Sequence, residues 1–209
     1  QGLATANNGD FIGCIEGSNE ANRVLIQRSR KIFSVLRDHK KKIFKKFPEL
    51  EKLDNLKKTE AYLLKIGEKN VRKIFYSIKE LLGRDIFGQG FLYRIISKNE
   101  IMEISKMTSE EKKQGIEIKE KIYVKYDKGD KEGNRWIFET PYYIKWDTKT
   151  VSWFQDNSGK KGSGMPALRN KDFFFKSGFC WSDVHTIYLK SRLKEESVHD
   201  VTSMSLSSI

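Results

Sequence analysis

Residues 123–183 hold the densest set of side chains able to do chemistry in this chain. Within YVKYDKGDKEGNRWIFETPYYIKW and ALRNKDFFFKSGFCWSDV, aromatic rings alternate with Lys, Arg, Asn and Asp at nearly strand-like spacing, and all four tryptophans (Trp136, Trp146, Trp153, Trp181) fall here. Rigid flat side chains that hold donors in place suit a nucleic-acid surface, where cations meet phosphates and planar donors meet base edges. The same mixture suits a β-rich core with a wet rim. Other chemistries have thinner support. Glu117-Ile118-Lys119 offers the Glu-x-Lys half of a metal-dependent nuclease site, but Glu110/Lys112 and Glu111/Lys113 offer it equally. His39, His185 and His199 stand at no metal-ligand spacing from Cys14 or Cys180. Asp183 and His185 mimic part of a hydrolase dyad without a nucleophile phrase. Cys180, beside Trp181, reads as a buried thiol rather than a nucleophile.

Charge narrows the classes further. The net charge is +12 and its distribution is uneven. Residues 1–22 carry three acids and no Lys or Arg; residues 23–84 carry 19 basic and 7 acidic residues; residues 85–209 carry 21 and 18. The excess sits in one helical-looking segment, whose field would attract a polyanion without reading its sequence. A Lys-rich solvated face explains it equally well. The 209 residues suffice for one large domain or two small ones, and no run is long enough to cross a membrane. Two cysteines make no disulfide framework, so a reducing, cytoplasmic location is expected. Entry at Gln1 rather than Met reads as a fragment or processed chain.

The elements that must position these residues follow from periodicity. Residues 1–16 read as a turn and a short strand, with Phe11, Ile12, Cys14 and Ile15 as its buried run. Ser18 or Asn19 followed by Glu20 predicts a helix start. Leu25, Ile32, Leu36, Ile43 and Phe47 recur at steps of seven and four, predicting a helix over 20–47 that Pro48 ends. A second helical stretch is expected over 49–66, interrupted by Gly67, and a third with Val71, Ile74, Phe75, Ile78, Leu81 and Leu82, ended by Gly83. Phe87, Gly88 and Gly90 before FLYRII predict a strand after a glycine turn, and TSEEKK one capped helical turn. Residues 115–126 alternate apolar and charged side chains, predicting a half-exposed strand. Strand segments follow at 136–138 and 142–146, a short helix at 147–156, a flexible loop at 157–164 and a β-hairpin at 172–189; the Ser-rich tail at 201–209 is expected to fray.

Four short phrases, in order, give the chain a resemblance. They are QGLATANN with its Gly-x-x-Thr-x-x-Asn pattern, KYDKGDKEGNRW with PYYIKW, LRNKDFFFKSGFCWSDV, and HDVTSMSLSS. Together they resemble the C-terminal target-recognition (specificity) domain of TaqI-like and Eco57I-like adenine-specific DNA methyltransferases of type II restriction–modification systems. The phrases cover about half of the chain. The helical region at 20–83 is not part of them, and the chain stops at Ile209 where the family continues, so a truncated domain is expected. The Asn/Asp-Pro-Pro-aromatic phrase that holds the target amine is absent: the three prolines sit in KFPEL, TPYY and MPAL. No glycine-rich turn between strand and helix seats a nucleoside cofactor.

The resemblance implies a non-catalytic domain that reads double-stranded DNA for a bacterial methyltransferase. The catalytic domain, with S-adenosylmethionine and the flipped adenine, would lie elsewhere in the full-length chain. The expected fold is α+β: a twisted, largely antiparallel or mixed sheet, β-rich over about 85–190, with an inserted helical region at about 20–83 in a single domain. Arg suits bidentate contact to guanine, Asn to adenine, and Lys suits phosphate. On that basis Arg135, Arg169 and Asn170 are the reader candidates, and Lys125, Lys128, Lys160, Lys161 and Lys176 the phosphate candidates, with Trp136 and Lys171 in the same phrases. Trp136, Trp146 and Trp181 are expected to pack the scaffold. No catalytic, cofactor or metal residue is expected. Two other readings stay open: a nuclease fragment with a metal site near Glu117, and a subunit-interaction module that uses the Leu25/Ile32/Leu36 stripe.

Overall fold

The computed structural model describes residues 2–83, 93–117, 120–128, 139–162, 164–182 and 191–207. Arg135, Trp136, the strand segment at 136–138, Phe87, Gly88, Gly90, Ile118, Lys119, Asp183 and His185 lie outside the described residues.

The chain opens with a short strand β1 (Leu3–Ala4), a single turn α1 (Asn8–Phe11) and β2 (Ile12–Ile15). It then leaves the sheet as α2 (Asn19–Lys46), turns through a 3₁₀ segment (Pro48–Lys52) and returns as α3 (Leu56–Leu82). Local chemistry sets these limits. The Ser18 hydroxyl accepts from the Ala21 N–H at 3.1 Å and caps α2. Pro48 cannot continue that helix, the Asn55 side chain caps α3, and Gly83 ends it in the left-handed conformation at φ 67°. Gly67 (φ 76°, ψ 163°) only kinks α3, so the second and third helical stretches expected from the sequence are one bent helix that starts at Leu56 rather than 49. A further bend lies at His39 of α2.

The chain re-enters the sheet at β3 (Arg94–Ile96) and continues through α4 (Ser109–Gln114), β4 (Tyr123–Asp127), β5 (Tyr142–Lys145) and α5 (Thr148–Asn157). It ends with β6 (Ala167–Leu168), a 3₁₀ turn (Lys171–Phe173), β7 (Gly178–Ser182), β8 (Ser191–Lys194), β9 (Val198–His199) and β10 (Ser203–Ser207). Thr108 and Glu111 form the capping box expected of TSEEKK. Asp147 caps α5 through the Thr150 N–H at 2.7 Å.

Five strands make the main sheet in the order β3-β2-β5-β4-β9, with β2–β3 and β4–β9 parallel and the two central pairings antiparallel. A second, antiparallel sheet has the order β10-β7-β8, and β1 pairs with β6. This is an α+β fold with mixed sheets.

Two expectations are overturned. Of the half-exposed strand expected over 115–126, only Tyr123–Asp127 forms a strand among the described residues, and it is interior, between β5 and β9, with Tyr123, Val124, Tyr126 and Asp127 buried. Residues 203–207 of the Ser-rich tail form a strand rather than a frayed end, because β10 pairs along its length with β7 in the register Ser203↔Ser182 to Ser207↔Gly178. The expected hairpin at 172–189 lies later, as β7 and β8.

One face of the main sheet carries the large core. Ile12, Cys14, Val124, Tyr126, Ile144 and Val198 pack with Trp146 and with Phe154, Phe174 and Phe175 from α5 and the turn before β7. On the other face Ile96, Tyr123 and Tyr143 form a smaller apolar cluster among the described residues. The helical pair has its own apolar cluster, in which Ile32, Leu36 and Ile43 of α2 meet Leu63, Val71, Phe75 and Ile78 of α3. Each fully buried side chain of this size contributes about 1.5–3 kcal/mol. Arg28, fully buried, clasps the pair to the sheet: its guanidinium donates to both carboxylate oxygens of Glu68 (2.5 and 3.0 Å) and to the Tyr93 carbonyl ahead of β3.

Candidate nucleic-acid interface

The four phrases, far apart in sequence, meet at one junction. Leu3 of the first phrase pairs with Leu168 of the third, bridges Asp200 of the fourth, and accepts through its carbonyl from the Tyr126 hydroxyl of the second at 2.9 Å. The Asp200 N–H donates to the Asp127 carbonyl at 2.9 Å. Gly2 lies so close to the fourth phrase that a Cβ there would stand 1.9 Å from the His199 carbonyl oxygen, which only glycine permits. The Thr5 hydroxyl donates to the Asn8 side-chain oxygen at 2.6 Å, so Gly2, Thr5 and Asn8 of the Gly-x-x-Thr-x-x-Asn pattern all build this junction.

Beside it opens a cleft of about 590 Å³. Its apolar floor is Trp146, Phe174 and Phe175, whose rings meet edge to face with centroids 5.9 and 5.5 Å from the indole. Its rim carries Lys112 and Lys113 from α4, Lys171 and Lys176 from the other wall, and one carboxylate, Asp172. Lys112 lies 3.7 Å from Glu196, and the Lys176 ammonium sits 5.3 Å from the centre of the exposed Phe173 ring. The walls are fixed from below. Trp146 donates its indole N–H to the Lys112 carbonyl at 3.3 Å, Gln155 donates to the Lys113 carbonyl at 3.3 Å, and the Phe175 N–H donates to the Ser197 carbonyl at 3.0 Å. The floor rings are themselves buried, so the four lysines, one of them beside Glu196, are what favours an anionic ligand here.

The candidates divide. Lys171 and Lys176 line the cleft. Arg169 and Asn170 are exposed on the turn that leads into it; the Arg169 N–H donates to the Gly2 carbonyl, and Asn170 takes the left-handed conformation at φ 52°. Lys160 and Lys161 are exposed on the loop after α5, and Lys160 donates to the Asn157 side-chain oxygen at 3.1 Å. The base of that loop is tied to β6, because the Leu168 N–H donates to the Ser158 hydroxyl at 2.8 Å. Lys125 and Lys128 are held elsewhere. Lys125 pairs with Glu195. Lys128 donates to the Tyr93 hydroxyl at 2.6 Å and lies 5.1 Å from that ring's centre; burial pushes its pKa down, and Asp200 opposes the shift. Arg135 and Trp136 fall outside the described residues. Trp146 is buried and packs the scaffold as expected.

Sequence reasoning did not place Lys112 and Lys113 among the DNA candidates, reading TSEEKK as a capped turn and the two lysines only as commonplace Glu-x-Lys pairs. Two adjacent cations closing so short a helix are its one legible signal. For the other readings, Glu117 is exposed, and no three His, Cys, Asp or Glu side chains gather to hold a metal among the described residues. Ile32 and Leu36 of the helical stripe are buried within the α2–α3 cluster. No helix among the described residues is long and apolar enough to cross a membrane. No protein-family model matches the chain, and no curated protein aligns with it significantly.

Proposed function

We propose that this chain is the DNA-reading part of a bacterial restriction–modification adenine methyltransferase and performs no reaction itself. The methyl donor and the target adenine would be handled by a catalytic domain of the full-length protein. The observation that carries the reading is the lysine-rimmed, aromatic-floored cleft, with Arg169 and Asn170 on the turn that enters it. The meeting of the four phrases supports it, since residues separated by most of the chain hold that turn in place.

In this reading Lys112, Lys113, Lys171 and Lys176 take up phosphates, while Arg169 and Asn170 address base edges in the major groove. Lys160 and Lys161 add sequence-independent contacts. The test is selection from a random duplex pool followed by titration at several salt concentrations. Arg169→Ala should flatten the preference at one position, a loss of about 1–3 kcal/mol in discrimination. Lys160→Ala should weaken all duplexes alike and lower the salt slope by about 0.9. Unchanged DNA binding in both variants sinks the assignment.

A further inference from the structure

A second basic tract belongs to the helical pair that joins β2 to β3. A groove of about 350 Å³ runs where α3 meets β3, lined by Lys69, Arg72, Arg94 and Tyr123, with Glu68 and Glu100. Both carboxylates are engaged: Glu68 by Arg28, and Glu100 by the Ser97 N–H at 2.8 Å. The two guanidiniums are pinned in place by Asp10. Arg72 donates to its carboxylate at 3.0 Å and Arg94 to its backbone carbonyl at 3.0 Å. Burial and, after it, the nearby Arg94 push the Arg72 pKa down, while Glu68 and Asp10 pull it up. Outward from the groove, Lys65, Lys69 and Lys73 are exposed on α3, and none has an ion pair among the described residues. Lys69 and Lys73 lie one helical turn apart, about 6 Å; each DNA strand carries a charge about every 3.4 Å of its axis.

We propose that this groove binds a backbone phosphate of duplex DNA, and that the exposed lysines of α3, Lys65 before the Gly67 bend and Lys69 and Lys73 after it, add sequence-independent phosphate contacts. The proposal rests on the reading above and gives the helical pair its role: a sequence-blind arm. A lipid surface fits worse. The helical pair buries its apolar stripe internally and exposes only Ile26, Leu64 and Tyr76 among its large apolar side chains, whereas a membrane-lying helix needs a continuous apolar face.

The test uses the full chain and a fluorescein-labelled mixed-sequence duplex of about three helical turns. Lys65→Gln/Lys69→Gln/Lys73→Gln should lower the slope of log affinity against log salt by about 2.7, and Arg94→Gln by about 0.9, with the sequences enriched from a random pool unchanged. The triple variant changes only exposed side chains and decides alone if Arg94→Gln fails to fold by circular dichroism. A wild-type slope in the triple variant, with a reduced one in Lys171→Gln/Lys176→Gln, overturns the arm and leaves the cleft reading standing. Reduced slopes in the α3 variants, with no effect of the cleft variants, overturn the cleft reading and keep a phosphate-binding arm. A wild-type chain that binds no duplex overturns both. Loss of adsorption to phosphatidylserine vesicles, with duplex binding intact, replaces the arm by a membrane contact.

Discussion

Replacing Arg28 by Met should loosen the helical pair from the sheet before it unfolds the protein. The Arg28 side chain is 0% exposed and the Glu68 side chain 25%. Arg28→Met leaves the Tyr93 carbonyl without its donor and the Glu68 carboxylate without its cation. Breaking a buried pair from one side costs about 3–5 kcal/mol, and the partial exposure of Glu68 places this case near 3. At this chain length that is roughly a 10 °C fall in Tm. The chain supplies its own two probes. No tryptophan lies in α2 or α3, and Trp146, Trp153 and Trp181 sit in or against the sheets, so tryptophan fluorescence reports on the part outside the helical pair, while α2 and α3 dominate far-ultraviolet circular dichroism. Under urea, the dichroism midpoint of Arg28→Met should fall further than the fluorescence midpoint, splitting a transition that coincides in the wild type. The double variant Arg28→Met/Glu68→Met removes the stranded charge and should return to within about 1 kcal/mol of wild type. A loss below about 1 kcal/mol in Arg28→Met, the range of exposed ion pairs, would refute the reasoning.

Two further outcomes follow from buried groups. Arg192 and Asp127 form an ion pair with side chains only 3% and 7% exposed, so Arg192→Met should cost about 3–5 kcal/mol by urea titration, and Arg192→Met/Asp127→Leu should recover most of it. Burial pushes both thiols up to about 12, helped by Glu20 at Cys14 and by Asp127 at Cys180. The native thiols therefore stay protonated where unfolded ones ionise, near 8.5. The folded state holds more protons over that interval, so stability should fall as pH rises from about 8.5 towards 12. Cys14→Ala/Cys180→Ala should reduce that alkaline fall, and at pH 8 the native wild type should resist a maleimide that labels it fully in urea.

Local chemistry made the helices legible. Ser18, Pro48, Gly83 and the Thr108–Glu111 box act within a few residues of themselves, and each ends or begins an element where its side chain dictates. What the sequence hid is contact at long range. The alternation through 115–126 is real, but among the described residues only its end forms a strand, Tyr123–Asp127, and apolar clusters on both faces of the sheet bury that strand. The tail reads as loose because its serines lack apolar pattern, yet β7 supplies every pairing it needs. The site divides in the same way. Lys171 and Lys176 sit in one phrase and stay together in space, whereas the position of Lys128 is set by Tyr93, 35 residues earlier, which no local pattern announces. The neighbours Lys112 and Lys113 join the cleft only because Trp146 and Gln155 reach across to their carbonyls.

The parallel pairing of β2 with β3 has an architectural consequence. Two neighbouring strands that run the same way cannot be joined by a tight turn; the chain must travel back along the sheet through a dozen or more residues. Everything between Ile15 and Arg94 is that return path, and the start of α2 is tied to the sheet by Ala21 and Val24 in the core and by Glu20, which accepts from the Tyr142 hydroxyl at 2.8 Å. The helices are thus a replaceable cassette. A single-helix bridge that kept Glu20, Ala21 and Val24 could close the same gap once Asp10 and the Tyr93 carbonyl received substitute donors, and the reading surface would keep its register.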